Sequence, residues 1–144
     1  MPGVEHNMCC RYYIEPSDPV ITSIADAVEH TKRLERMRLA AAMGPTYCGE
    51  ISPSMIVPTI ARTKSGDPGY FPMRWGYTSP QRSLLANARM ETAGEKPTFQ
   101  ESWRRHRCII PASYYYEWEH FLRPNGWKET GAKYLLQPKG SQRT

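Results

Sequence analysis

The chain has 144 residues, of which 40% are hydrophobic and 11% aromatic, enough for one domain with a buried core and too apolar for a disordered segment. With 19 Lys and Arg against 14 Asp and Glu the net charge is +5, which suits a polyanion such as nucleic acid as partner, although a solvated basic surface explains the excess equally well. Cys9, Cys10, Cys48 and Cys108 form no CxxC pair or zinc-ligand spacing, and no apolar run spans a bilayer or resembles a secretory signal; a reduced cytoplasmic protein without metal, cofactor or membrane partner is expected.

Along the chain, 13 prolines break the sequence into short elements and favour strands and loops over a helical bundle. An opening strand is expected over 10–14. Ser17-Asp18-Pro19 then reads as a helix start, a capping side chain followed by proline in the first turn. The apolar stripe Ile21, Ile24, Val28, Leu34 and Met37 predicts a helix to about Met43, with Lys32, Arg33, Arg36 and Arg38 on its wet face and Gly44-Pro45 as its stop. Residues 47–58 read as an edge strand or strand-loop-strand around Met55-Ile56-Val57, and 64–69 as an exposed hairpin loop. A second, aromatic strand follows over 71–77, where Trp75 is either a core anchor or a platform for base stacking.

Asn87-Ala88-Arg89-Met90-Glu91-Thr92 places an amide, a guanidinium and a carboxylate close together on a segment too short for a regular surface helix, a mixture that suits a polar site. Thr98-Phe99-Gln100-Glu101 matches a capping box, starting a helix with Phe99 and Trp103 four apart and Arg104, Arg105 and Arg107 on its last turn, where cations complement the helix dipole. Tyr114-Tyr115-Tyr116-Glu117-Trp118 reads as a strand whose side chains alternate between faces. Glu117 is its anomaly, being either on the wet face or partly enclosed with a raised pKa, as a proton-transferring acid would be. A polar loop over 123–130 and a last strand over 133–136 complete the chain.

Met8-Cys9-Cys10-Arg11-Tyr12-Tyr13 carries the distinctive chemistry. If Met8 and all before it were removed, Cys9 would present an α-amine with pKa near about 8 beside a thiol near about 8.5, both partly deprotonated near neutrality. The amine can form an imine with an aldehyde and the thiol can close on it, giving a five-membered thiazolidine by covalent catalysis without a cofactor. Alternatively, Cys9 and Cys10 are small residues opening an ordinary strand.

Taken together, the pieces resemble the SRAP family, the SOS response-associated peptidases or abasic-site-processing proteins. The resemblance rests on Met8-Cys9-x-Arg11-Tyr12, Ile51-Ser52-Pro53-Ser54 with Val57-Pro58, Arg74-Trp75-Gly76-Tyr77, Asn87-Ala88-Arg89-Met90-Glu91-Thr92, Arg107-Cys108-Ile109-Ile110-Pro111-Ala112 and Tyr116-Glu117-Trp118. It implies a single α+β domain with a mixed, mainly antiparallel, barrel-like sheet and a few helices. It further implies a monomer that binds single-stranded DNA and crosslinks to the ring-opened aldehyde of an abasic site, with thiol-autopeptidase and lyase-like activity. Cys9 would be the nucleophile, Asn87 would position the reacting groups and Glu117 would shuttle protons. Arg11 and Arg89 would hold phosphates, while Pro53 and Trp75 would meet the strand's bases.

The sequence departs from the family pattern in three ways. Residues 1–7 precede the expected start and read as a leader to an 8–144 domain; Cys10 and Tyr114 stand where glycine is usual; and the His-x-Arg-x-Pro motif expected after Tyr-Glu-Trp has no counterpart, so the domain reads as incomplete at its C-terminus. The alternatives are an inactive fragment, a non-catalytic module for single-stranded nucleic acid, or an unrelated amide hydrolase with an N-terminal cysteine.

Overall fold

A computed structural model describes residues 10–32, 34–35, 45–79 and 82–139. Its strands are β1 (Arg11–Ile14), β2 (Gly49–Ile51), β3 (Ile56–Arg62), β4 (Pro68–Arg74), β5 (Tyr77–Ser79), β6 (Arg82–Leu85), β7 (Cys108–Ile109), β8 (Tyr114–Leu122) and β9 (Lys128–Leu136). The helices introduced here are α1 (Pro19–Glu29), α2 (Met90–Ala93) and α3 (Pro97–Arg105). The strands form three sheets in the orders β2-β1-β8-β9, β4-β3-β7 and β5-β6. Each strand pairing is antiparallel, as the α+β expectation requires. Among the described residues the sheets stay separate and do not close into a barrel.

Helix α1 begins as its sequence dictates. Asp18 Oδ1 accepts from the backbone N–H of Val20 at 3.0 Å and of Ile21 at 3.3 Å, and Pro19 occupies the first turn, where its missing N–H costs nothing. Ile21, Ile24, Ala25 and Val28 make its buried face. The helix does not run on as predicted; it ends at Glu29 with His30 as its cap. Thr31 provides the reason: its hydroxyl donates to Val28 O at 2.8 Å and accepts from Leu34 N at 3.3 Å, closing one turn and opening the next. The rest of the predicted stretch, from Arg36 to Gly44, lies outside the described residues.

The buried side chains of α1 belong to two core clusters. Tyr12, Ile14, Ile21, Ile51 and Val57 form one, with Met55 and Trp75 packed against it; Ile24, Val28 and Leu34 form the other, beside Tyr47 and Ile60. The helix thereby joins the β1–β2 sheet to β3. Each fully buried aliphatic side chain contributes about 1.5–3 kcal/mol, which is the force holding these sheets around α1.

Two predicted features take another form. The capping box at Thr98 does not close: α3 starts two residues earlier than that box requires, at Pro97, with Lys96 as N-cap and no side-chain cap. Proline is favoured in that first position, which moves Thr98 into the helix. The loop predicted over 123–130 is a tight turn, closed by Arg123 N donating to Trp127 O at 2.9 Å, so β9 begins at Lys128. Gly126 makes this possible with φ +81, a left-handed conformation that a side chain disfavours.

Candidate functional site

Strand β1 lies between β2 and β8, and its register organises the site. Arg11 is opposite Tyr116, Tyr12 opposite Tyr115, and Tyr13 opposite Tyr114. Continued one residue beyond Arg11, that register sets Cys10 opposite Glu117. Cys9, the predicted nucleophile, lies outside the described residues, while Cys10 is exposed.

Alternation divides the sheet into two chemically distinct faces. Tyr12, Ile14 and Ile51 occupy the inner one and enter the core. Glu117 belongs to this inner side by register, opposite Tyr134 on β9, and is half-buried. It therefore faces away from its chain neighbours Tyr116 and Trp118, whose rings do not enclose it.

The other face carries an aromatic ladder. Tyr13 stacks on Tyr114 with ring centres 4.9 Å apart and planes 4° from parallel; Tyr114 meets Tyr116 edge-on at 5.6 Å; and Tyr116 lies 6.2 Å from Trp118. Lys133 Nζ is 3.7 Å from the Tyr116 ring centre and 5.2 Å from that of Trp118, a cation–π arrangement. Arg11 forms an ion pair with Glu50, which also lies 4.0 Å from Lys133 Nζ. Desolvation within the ladder, followed by the adjoining Tyr116 hydroxyl, pushes the Tyr114 phenol up to about 12. Sequence reasoning missed the ladder as a unit. Its signal was the alternate aromatic spacing of Tyr114, Tyr116 and Trp118; Tyr13 and Lys133 join only through strand pairing.

Trp75 connects the remaining candidates. Its ring packs 5.4 Å from that of Tyr12, tilted by 43°, and its Nε1–H donates to Ala86 O at 2.9 Å. That bond holds the connector in which the half-buried Asn87 and exposed Arg89 lie. The backbone of Trp75 also pins the turn containing Pro53: Ser54 N donates to Trp75 O and Trp75 N to Met55 O, each at 2.9 Å. Ser54 has φ +74, a strained conformation for a residue with a side chain. Of the two roles open to Trp75, the structure shows core packing and positioning.

Arg89 is the N-cap of α2 and makes no ion pair among the described residues. Helix α3 supports the segment around it. Phe99 meets Tyr77 edge-on at 5.3 Å, and Trp103 covers Gly94, where a Cβ would come within 3.2 Å of the indole. Only a residue without a side chain permits that approach without displacement. Trp75 thus ties the Pro53 turn and the connector before Asn87 to Tyr12 on β1, whereas Arg11 lies on the opposite face of the sheet from Glu117. Among the described residues, no group of three or more metal-ligating side chains occurs.

These motifs fall, in order, within residues 8–143, the stretch matched by the family model described as SOS response associated peptidase (SRAP). The chain belongs to the SRAP family. It is 36% identical over 81 residues to abasic site processing protein YobE of Bacillus subtilis (strain 168), an alignment covering 52% of this chain and 36% of that protein. Abasic site processing protein YoqW of Bacillus phage SPbeta is likewise 36% identical over 81 residues, covering 52% and 35%. YoaM of Bacillus subtilis, also named an abasic site processing protein, is 42% identical over 53 residues, covering 33% and 23%. The matched stretch spans about a third of the length of the first two of these relatives. A crystal structure of a protein from Bordetella bronchiseptica aligns with 85% of this SRAP chain and 61% of its own at 24% identity and a TM-score of 0.43.

Proposed function

We propose that this SRAP chain binds single-stranded DNA as a monomer and captures the aldehyde of an abasic site through Cys9, once Cys9 is the first residue. The amine of Cys9 attacks the aldehyde carbon, and water leaves as the imine forms. The thiol then adds to the imine carbon, its proton passing to the nitrogen, and the thiazolidine ring closes. Glu117 carries protons in both steps, and Asn87 orients the reacting groups. Arg11 and Arg89 hold phosphates beside the lesion, while Pro53 and the half-buried Trp75 meet neighbouring bases. Such contacts are indifferent to sequence; the lesion is selected because it alone offers an aldehyde.

The observation that carries this reading is the β1–β8 register, which brings the chain entering β1 beside Glu117. The names of the relatives support it. Residues 1–7 act as a leader to the domain beginning at residue 8, and hydrolysis of the Met8–Cys9 bond, by autoproteolysis through the same cysteine, removes it together with Met8 and frees the Cys9 amine, in keeping with the peptidase in the family's description. No helix among the described residues is long and apolar enough to cross a membrane; the proposed DNA substrate is what places the protein in the cytoplasm at the nucleoid.

Intact-mass analysis tests the reaction. A form beginning at Cys9, incubated with a single-stranded oligonucleotide carrying one abasic site, gains the mass of the oligonucleotide less one water; the form beginning at Met1 does so far more slowly, because an amide nitrogen forms no imine. A crosslinked species whose mass still includes residues 1–8 would exclude the thiazolidine mechanism.

A further inference from the structure

A second candidate site lies where the end of α3 meets the β3–β4 sheet. The cavity there measures about 650 Å³, within the range of small-molecule sites. Ala61, Phe71 and Met73 line its apolar side, and the β3–β4 register puts all three on one sheet face. Arg62, at the end of β3, and Arg104, Arg105 and Arg107, around the end of α3, bring guanidinium groups to its wall, with His106 among them.

The charge is poorly compensated. Among the described residues no carboxylate lines the cavity, and Glu101 is 3.8 Å from Arg105 Nε and 3.9 Å from His106 Nε2, long and exposed contacts. Arg62 and Arg104 make no ion pair among the described residues, and Arg107 is held by the face of Trp103, its guanidinium carbon 5.7 Å from the ring centre. The dipole of α3 accounts for cations at Arg104 and Arg105, which occupy its last turn. It does not account for Arg62 on another element or for Arg107 beyond the helix. All four arginines are exposed, so water screens much of their mutual repulsion, and an anion bound among them would offset the remainder.

We propose that this cavity binds a nucleoside phosphate, its phosphate held by the arginines and its base resting against Phe71 and Met73. Guanidinium groups match phosphate oxygens in pairs, and a flat aromatic base suits the apolar side, so one ligand class satisfies both halves. An inorganic anion would leave the apolar side empty, and a plain hydrocarbon would leave the charges unmatched. The ligand is either a free nucleotide or one nucleotide of a DNA strand. Neither source requires the chemistry proposed for Cys9.

Titration calorimetry of the 144-residue chain at low ionic strength, with adenosine 5′-monophosphate as probe, tests the site. Saturable one-to-one binding is expected, weakened roughly tenfold or more when adenosine or inorganic phosphate replaces the nucleotide. Arg104→Gln combined with Arg107→Gln should weaken it by about tenfold, and Arg62→Gln, on a different element, by several-fold, with circular dichroism unchanged. Absence of saturable binding, or undiminished affinity in both variants, overturns the proposal. An undamaged single-stranded oligonucleotide that competes with the probe identifies a DNA strand as the source; one that leaves binding untouched identifies a free nucleotide. Because the assay uses no abasic DNA, its failure leaves the Cys9 reaction standing, and a failure of crosslinking leaves this site standing.

Discussion

Replacing Tyr12 by phenylalanine should make the protein more stable, although Tyr12 packs in the core against Trp75. Its side chain is only 6% exposed, and its hydroxyl has no hydrogen-bond partner among the described residues. A buried hydroxyl without a partner costs about 1–3 kcal/mol, while the ring keeps its contact with Trp75 in either residue. Tyr12→Phe should therefore stabilise by about 1 kcal/mol at pH 7, raising Tm by about 4 °C for a chain of this size. Burial also pushes the Tyr12 phenol well above its ordinary value of 10.0. The sign follows from linkage: a pKa raised in the folded state means full stability below pH 10, lost as pH rises because the unfolded chain releases this proton first. The loss is about 1.4 kcal/mol by pH 11, so the advantage of the variant should grow to about 2.4 kcal/mol there. Urea unfolding followed by tryptophan fluorescence at both pH values measures the difference. A variant less stable than its parent at pH 7, or an advantage that does not widen above pH 10, would refute the reasoning and reveal a partner for the hydroxyl.

Three further outcomes are expected. Glu117→Gln, in a form beginning at Cys9, should retain the fold but slow crosslinking to abasic DNA by roughly 10²- to 10⁴-fold, because shape is kept and the transferable proton lost; crosslinking at the parental rate on denaturing gels would remove Glu117 from the mechanism. Affinity for undamaged single-stranded DNA should fall with salt, and Arg89→Ala should reduce the slope by about one phosphate's worth, whereas an unchanged slope in a salt titration would take Arg89 off the strand. Asp18→Ala, which deletes the cap accepting from Val20 and Ile21, should cost about 1 kcal/mol in denaturant unfolding, and no loss would mean that the helix start is held by packing alone.

The amino-acid sequence by itself determined the local signals and the family. Asp18-Pro19 opens α1 because capping is a contact between near neighbours, and the loop predicted over 64–69 forms as a turn over 63–67 around Gly66, with Pro68 and Gly69 already in β4. Asn-Ala-Arg-x-Glu-Thr and Tyr-Glu-Trp identify the family because motif order survives without any knowledge of contacts. Tertiary structure decided which of several local options prevailed. Thr31 stops a helix that the apolar stripe alone would have continued, and Pro97 displaces the capping box, each because one hydrogen-bonding or ring constraint outweighs a repeating pattern. It also decided which face each strand residue takes. Glu117 faces the opposite side of the sheet from its chain neighbours Tyr116 and Trp118, Tyr13 and Lys133 complete a ladder begun on β8, and Trp75 ties the Pro53 turn and the connector before Asn87 to one core. These relations span many residues of sequence. They arise from strand register and shared burial, and therefore exist only once the chain has folded.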